Sequence, residues 1–137
     1  MRHRVLWAGA LLLVGCGGRL ATPVTARTSA GPEETFDCVK QQLKELGYKQ
    51  SSIDVDARRI NATKIDEKTR RSDTQFHRIL NKLEVEVAPQ ADGQTGIQVT
   101  GRTFAEYTTQ RGPTEVEEKA SDEVRAAQQQ IVERCRS

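Results

Sequence analysis

Two long stretches of alternating apolar and polar residues, 75–88 and 96–109, flank the sequence Gln90-Ala91-Asp92-Gly93-Gln94. Period-two alternation marks half-buried strands. An Asp-Gly step in a short polar gap is hairpin chemistry, with Gly93 free to take the positive φ that a three-residue loop needs. A slip of one residue would turn every apolar side chain to the wrong face, so the pairing can be checked internally. A loop at residues 91–93 sets Val87 opposite Ile97, Val85 opposite Val99, Leu83 opposite Gly101 and Ile79 opposite Ala105 on one face. The other face then carries Glu86 with Gln98, Glu84 with Thr100, Lys82 with Arg102, Leu80 with Phe104 and Arg78 with Glu106. The partition is clean except for Lys82 against Arg102, a like-charge pair that neighbouring Glu84 and Glu106 are expected to offset. Such a sheet needs a cover on one side only.

The remaining elements follow from the same reading. Pro32 suits a first helical position, Glu33 and Glu34 suit the positive end of the helix dipole, and Gly47 suits the stop. A helix is expected over residues 32–46, with Phe36, Val39, Leu43 and Leu46 as its buried stripe. From Tyr48 the period becomes two: Ile53 and Val55 share a face, as do Ile60 and Ala62 after a turn at residues 56–59, which predicts a short hairpin. Residues 66–74, DEKTRRSDT, hold no apolar side chain and read as a solvated loop. After Pro113, Thr114 and Glu117 have capping-box spacing. Val116, Ala120, Val124, Ala127, Ile131 and Cys135 recur every three or four residues, which predicts a long second helix. The expected fold is an α+β two-layer sandwich, ordered helix, four-stranded antiparallel meander, helix, with both helices on one sheet face.

The start of the chain gives an address. Residues 1–16, MRHRVLWAGALLLVGC, begin with cationic Arg2 and Arg4 and continue through an apolar stretch from Val5 to Val14. That stretch spans about 15 Å as a helix, too short to cross a bilayer, and has the form of a secretory signal peptide. Its last four residues, Leu13, Val14, Gly15 and Cys16, resemble the lipobox of bacterial lipoproteins. The resemblance implies that the Cys16 thiol receives a diacylglyceryl group, that residues 1–15 are removed, and that several acyl chains hold the protein stably on a membrane. In Gram-negative lipoproteins an Asp after the lipidated Cys favours the inner membrane. Gly17 at that place implies the outer membrane, facing the periplasm. Residues 16–31 are then the lipidated Cys and a Gly, Ala, Thr, Ser and Pro-rich flexible tether of roughly 20 Å, in which Arg19 and Arg27 read as solubilising charges, with contact to anionic lipid as the alternative. A single domain is expected over residues 32–137.

Export bears on the cysteines. Four strands between the two helices would return the chain to the end where it started, so the helices should run antiparallel and bring Cys38 beside Cys135. An oxidising compartment permits that disulfide, and with Cys16 lipidated no thiol is left over. Closing a loop of roughly 100 residues removes about 4.7 kcal/mol of unfolded-state freedom in the chain-entropy description. For a domain whose only aromatics are Phe36, Tyr48, Phe76, Phe104 and Tyr107 this is a large share of stability.

Charge and motifs narrow the function. Removal of Arg2 and Arg4 from the 21 Lys and Arg leaves 19, against 19 Asp and Glu. Neutrality argues against a nucleic-acid partner, which requires a clustered basic surface, and against a polybasic membrane-surface protein. No glycine-rich phosphate loop stands between a strand and a helix, no metal-ligand spacing rises above the weak pair Asp54 and Asp56, and no cofactor is implied. Arg58, Arg59, Arg70 and Arg71 sit in loops beside acids and read as solvated charge. After cleavage His77 is the one imidazole, expected on the helix side opposite Tyr107 as a packed or hydrogen-bonded side chain in preference to a general base; no enzyme is expected. Asn81 and Thr103 face each other on the apolar side. They imply either a mutual hydrogen bond or a small-ligand cavity between sheet and helices. On the opposite face Leu80, Phe104, Arg102 and Glu106 form a candidate partner surface. The expectation is a membrane-anchored envelope lipoprotein that binds or helps assemble an envelope protein without catalysis; the alternative is a small-ligand carrier or sensor.

Overall fold

The computed structural model describes residues 19–136; the segment expected to be a signal sequence and Cys16 lie outside them. In chain order the elements are β1 (Val24–Thr28), α1 (Pro32–Glu45), β2 (Lys49–Asp54), β3 (Arg59–Asp66), β4 (Phe76–Pro89), β5 (Thr95–Thr109), β6 (Gly112–Glu118) and α2 (Asp122–Cys135). The fold is α+β, but the four-stranded meander is overturned: the sheet has six antiparallel strands, ordered β1-β5-β4-β3-β2, with β6 also on β5.

The central hairpin has the pairing that alternation requires. Val87 faces Ile97, Val85 faces Val99, Leu83 faces Gly101, Lys82 faces Arg102 and Leu80 faces Phe104. Gly93 turns the loop at φ +82°, a conformation that costs a residue with a Cβ far more. Register shifts between Phe76 and Arg78, so Phe76, and not His77, faces Tyr107, with the rings edge-on at 5.9 Å. His77 is thereby turned to the face opposite the helices, a correction to its expected place.

The two additional strands account for the other corrections. β1 lies inside the stretch expected to be a flexible tether. Val24, Ala26 and Thr28 alternate inward, and Val24 pairs with Val99 through to Thr28 with Thr95. The segment before it is fixed too: Ala120 N–H donates to Leu20 O at 2.9 Å and Gln128 Nε2 to Thr22 O at 3.0 Å. β6 occupies the expected first turns of the second helix, so Thr114 and Glu117 form no capping box; Ser121 caps instead, its Oγ accepting from Val124 N at 3.1 Å. β1 and β6 divide the outer edge of β5 between them, pairing with residues 95–99 and 103–109.

Both helices pack on one face of the sheet. Phe36, Val39 and Leu43 from α1 and Val124, Ala127, Ile131 and Val132 from α2 meet Ile60, Ala62, Leu83, Val85, Val87, Ile97 and Val99. Gly101 allows α2 to come close, since a Cβ there would lie 3.0 Å from Gln128 and Val124 atoms. The 14 residues of each helix span about 21 Å, whereas the 15 of β5 span about 50 Å, so the helices cover only part of the sheet. Over the remainder of the same face the loop at residues 67–75 folds back. Arg71 ion-pairs with Glu118 and stacks on Phe76.

Cys38 and Cys135 are disulfide-bonded, with Cα atoms 5.7 Å apart. Five strands, not four, separate the helices, yet the helices run antiparallel. The reason is that α2 continues the direction of β6. The strand ends opposite Thr103, midway along β5, and α2 takes over the return pass.

Candidate functional site

The face of the sheet away from the helices was expected to carry the working surface, and the register shows how it is built. Ile65, Leu80 and Phe104 sit side by side across β3, β4 and β5, with Glu117 of β6 next in the row. Leu80 is only 5% exposed and Glu106 8%, so two of the four expected surface residues are covered by their neighbours. Phe104 is half-buried, with the Lys82 Nζ 4.6 Å from its ring centroid, while Ile65 is 45% exposed and Arg102 points outward. The apolar row is therefore open at its Ile65 end and roofed at its centre.

The like-charge pair Lys82 and Arg102 is resolved by β6. Lys82 pairs with Glu115 and Arg102 with Glu117, each at 2.8 Å, where Glu84 and Glu106 had been expected to offset them. Glu106 instead receives His77 Nδ1–H at 2.8 Å and Arg78 Nε–H at 3.1 Å. Burial pushes the Glu106 carboxyl up, but the hydrogen bonds and charges of His77 and Arg78 outweigh it and hold it below the usual range. A carboxylate orienting an imidazole is also a catalytic arrangement. Here no hydroxyl or thiol among the described residues is hydrogen-bonded to the ring.

On the helix side, Asn81 and Thr103 are satisfied together. Thr103 Oγ1–H and Ser121 Oγ–H both donate to Asn81 Oδ1 at 2.8 Å, and Ser121 N–H donates to Thr103 Oγ1 at 2.8 Å. This network fixes the start of α2 at the middle of β5 and uses the polar groups that would otherwise have suggested a ligand cavity. The Tyr48 hydroxyl has no partner among the described residues, and burial pushes its pKa up.

The other singled-out residues have local roles. Asp54 Oδ1 accepts from Ala57 N at 3.0 Å in the β2–β3 turn, and no group of three or more His, Cys, Asp or Glu among the described residues is placed to hold a metal ion. Arg58 pairs with Glu33 at 2.7 Å, Arg59 with Glu86 at 3.4 Å, and Arg71 with Glu118. Arg71 holds the Glu118 carboxyl below its ordinary range. Sequence reasoning missed the place where the chain enters the fold. Arg19 and Leu20 lie beside Lys119 and Arg125 there, along a groove of about 510 Å³ between the entering segment and α2. The signal that could have found it is the alternation Val24, Ala26, Thr28 just downstream.

No protein-family model matches this chain, and no curated protein matches it.

Proposed function

We propose that this protein is a lipid-anchored component of a bacterial envelope, held through a diacylglyceryl group on Cys16. It would lie on the outer membrane facing the periplasm, where it binds or helps assemble another envelope protein without catalysis. The run Leu13, Val14, Gly15 and Cys16 behind an apolar stretch and two arginines carries this reading. The Cys38–Cys135 disulfide supports it, because such bonds persist in oxidising compartments. The open end of the apolar row, Ile65 beside Leu80 with Phe104 one strand further on, is the place for the partner. Asn81 and Thr103, which motivated the carrier alternative, are hydrogen-bonded to each other and to Ser121, which favours the binding reading.

Two measurements test this. Growth with labelled palmitate followed by mass analysis should place acyl chains on Cys16 and none on a Cys16→Ser chain; an unmodified Cys16 in mature protein defeats the anchor. Photoreactive residues at Ile65 and Phe104 in intact cells should yield one discrete protein adduct, absent at Glu133 on α2. Adducts at all three positions, or at none, defeat the binding surface.

A further inference from the structure

The edge at which the chain enters the fold is bound rather than free. Leu20 O and Thr22 O are hydrogen-bonded to Ala120 and Gln128, and β1 follows directly along β5. Arg19, the first described residue, is three positions after Cys16. Three residues reach at most about 11 Å. A lipid on Cys16 has its glycerol at the headgroup boundary, and the headgroup layer of one leaflet is on the order of 5–8 Å deep. The edge is therefore brought to the headgroups by covalent reach alone, in place of the roughly 20 Å that a free tether would give.

What this edge presents suits that position. Arg19, Lys119 and Arg125 rim the groove beside α2, with Leu20 44% exposed and Ala126 also outward. Asp122 is the acid among the lining residues and pairs with Arg125. Arg19 and Lys119 have no ion-pair partner among the described residues, so both ammonium and guanidinium are free for phosphate.

We propose that this edge docks on the bilayer, with Arg19, Lys119 and Arg125 against the phosphates of anionic phospholipids and Leu20 at the boundary of the acyl region. The proposal rests on the reading of Cys16 as lipidated. It fixes an orientation: the β1/β6 edge faces the membrane, and the β2 edge, with the turn at Ala57, faces away.

The test uses the full lipidated protein in vesicles of phosphatidylethanolamine and phosphatidylglycerol that carry brominated acyl chains, which quench tryptophan on contact. Trp7 is the chain's only tryptophan and leaves with the signal sequence, so a single reporter can be introduced. Ala126→Trp should lose most of its emission and Ala57→Trp almost none. Adding Arg19→Glu, Lys119→Glu and Arg125→Glu should restore the emission at 126 while the protein still floats with the vesicles. Equal quenching at the two sites, or an unquenched residue 126 in floating protein, overturns the docking and leaves the anchor intact. Quenching unchanged by the three charge reversals overturns the role of the cations. Protein that neither floats nor carries the diacylglyceryl mass overturns the anchor itself.

Discussion

The two ends of the β4–β5 hairpin are held by different physics. Near its turn, the sheet is covered by α1 and α2 and held by apolar burial, with Leu43, Val39, Ile131 and Val99 fully enclosed and the disulfide joining the helices. Beyond Thr103 no helix lies on the sheet, and the strands are held by ion pairs: Lys82 with Glu115, Arg102 with Glu117, Arg78 and His77 with Glu106, and Arg71 with Glu118. Most of these pairs are half-exposed, a setting in which each contributes little alone. The lesson is that the helical end sets stability and the ionic end sets register. A strand as poor in apolar residues as β6 is placed by Glu115 and Glu117 finding two cations that would otherwise repel each other.

The largest break in this contrast should come at the helical end. Cys38→Ala with Cys135→Ala should lower the unfolding free energy by about 4–5 kcal/mol, read by denaturant titration of the oxidised protein against the double variant. Leu43→Ala should cost about 2–5 kcal/mol by the same assay, because the methyl groups removed leave a cavity in a filled core. Ser121→Ala, at the junction of the two ends, should cost about 1–2 kcal/mol, since it removes the cap of α2 and one donor to Asn81. A loss no larger than that of a surface substitution would show that the network is idle.

The ionic end should respond least to any single substitution and most to solvent. Lys82→Ala should cost under about 1 kcal/mol, and less at high salt. Acid should loosen this end first. The Glu106 and Glu118 carboxyls are held below the ordinary range, so they bind protons less readily folded than unfolded. The stability they contribute is present above the unfolded carboxylate pKa of about 4.3 and is lost as pH falls through their lowered values. Amide exchange compared at neutral and acid pH should show β6 losing protection before α2. Simultaneous loss would dissolve the distinction between the ends.

How much of this could be read from the sequence follows the same division. The register of β4 on β5 was legible because alternation runs through most of both strands and the Asp-Gly turn sets its phase. Helix α1 was legible from Pro32, Glu33, Glu34 and Gly47. The edge strands were not. β1 has only Val24 and Ala26 as apolar residues, and it forms because β5 leaves backbone donors and acceptors open at residues 95–99. In β6 the single Val116 stands four residues before Ala120 and eight before Val124, so it fits a helical stripe as well as a strand. The like-charge pair Lys82 and Arg102 was the available clue that acids had to arrive from another strand. On the candidate surface, alternation gave the face of Leu80 and Glu106 correctly but could not show that neighbouring Arg78, Lys82 and Phe104 close over it.

The bond between Cys38 and Cys135 makes everything from the first helix to the last one covalent ring. A protease that cuts the exposed loop at residues 67–75 opens that ring without dividing the molecule, since both pieces stay joined through sulfur. With the lipid proposed on Cys16, a single cut would detach the folded body only between Cys16 and Cys38, an interval of which β1 and α1 occupy about half. Under the proposed lipidation of Cys16, a nicked protein would therefore stay in place, with release confined to cuts before Cys38.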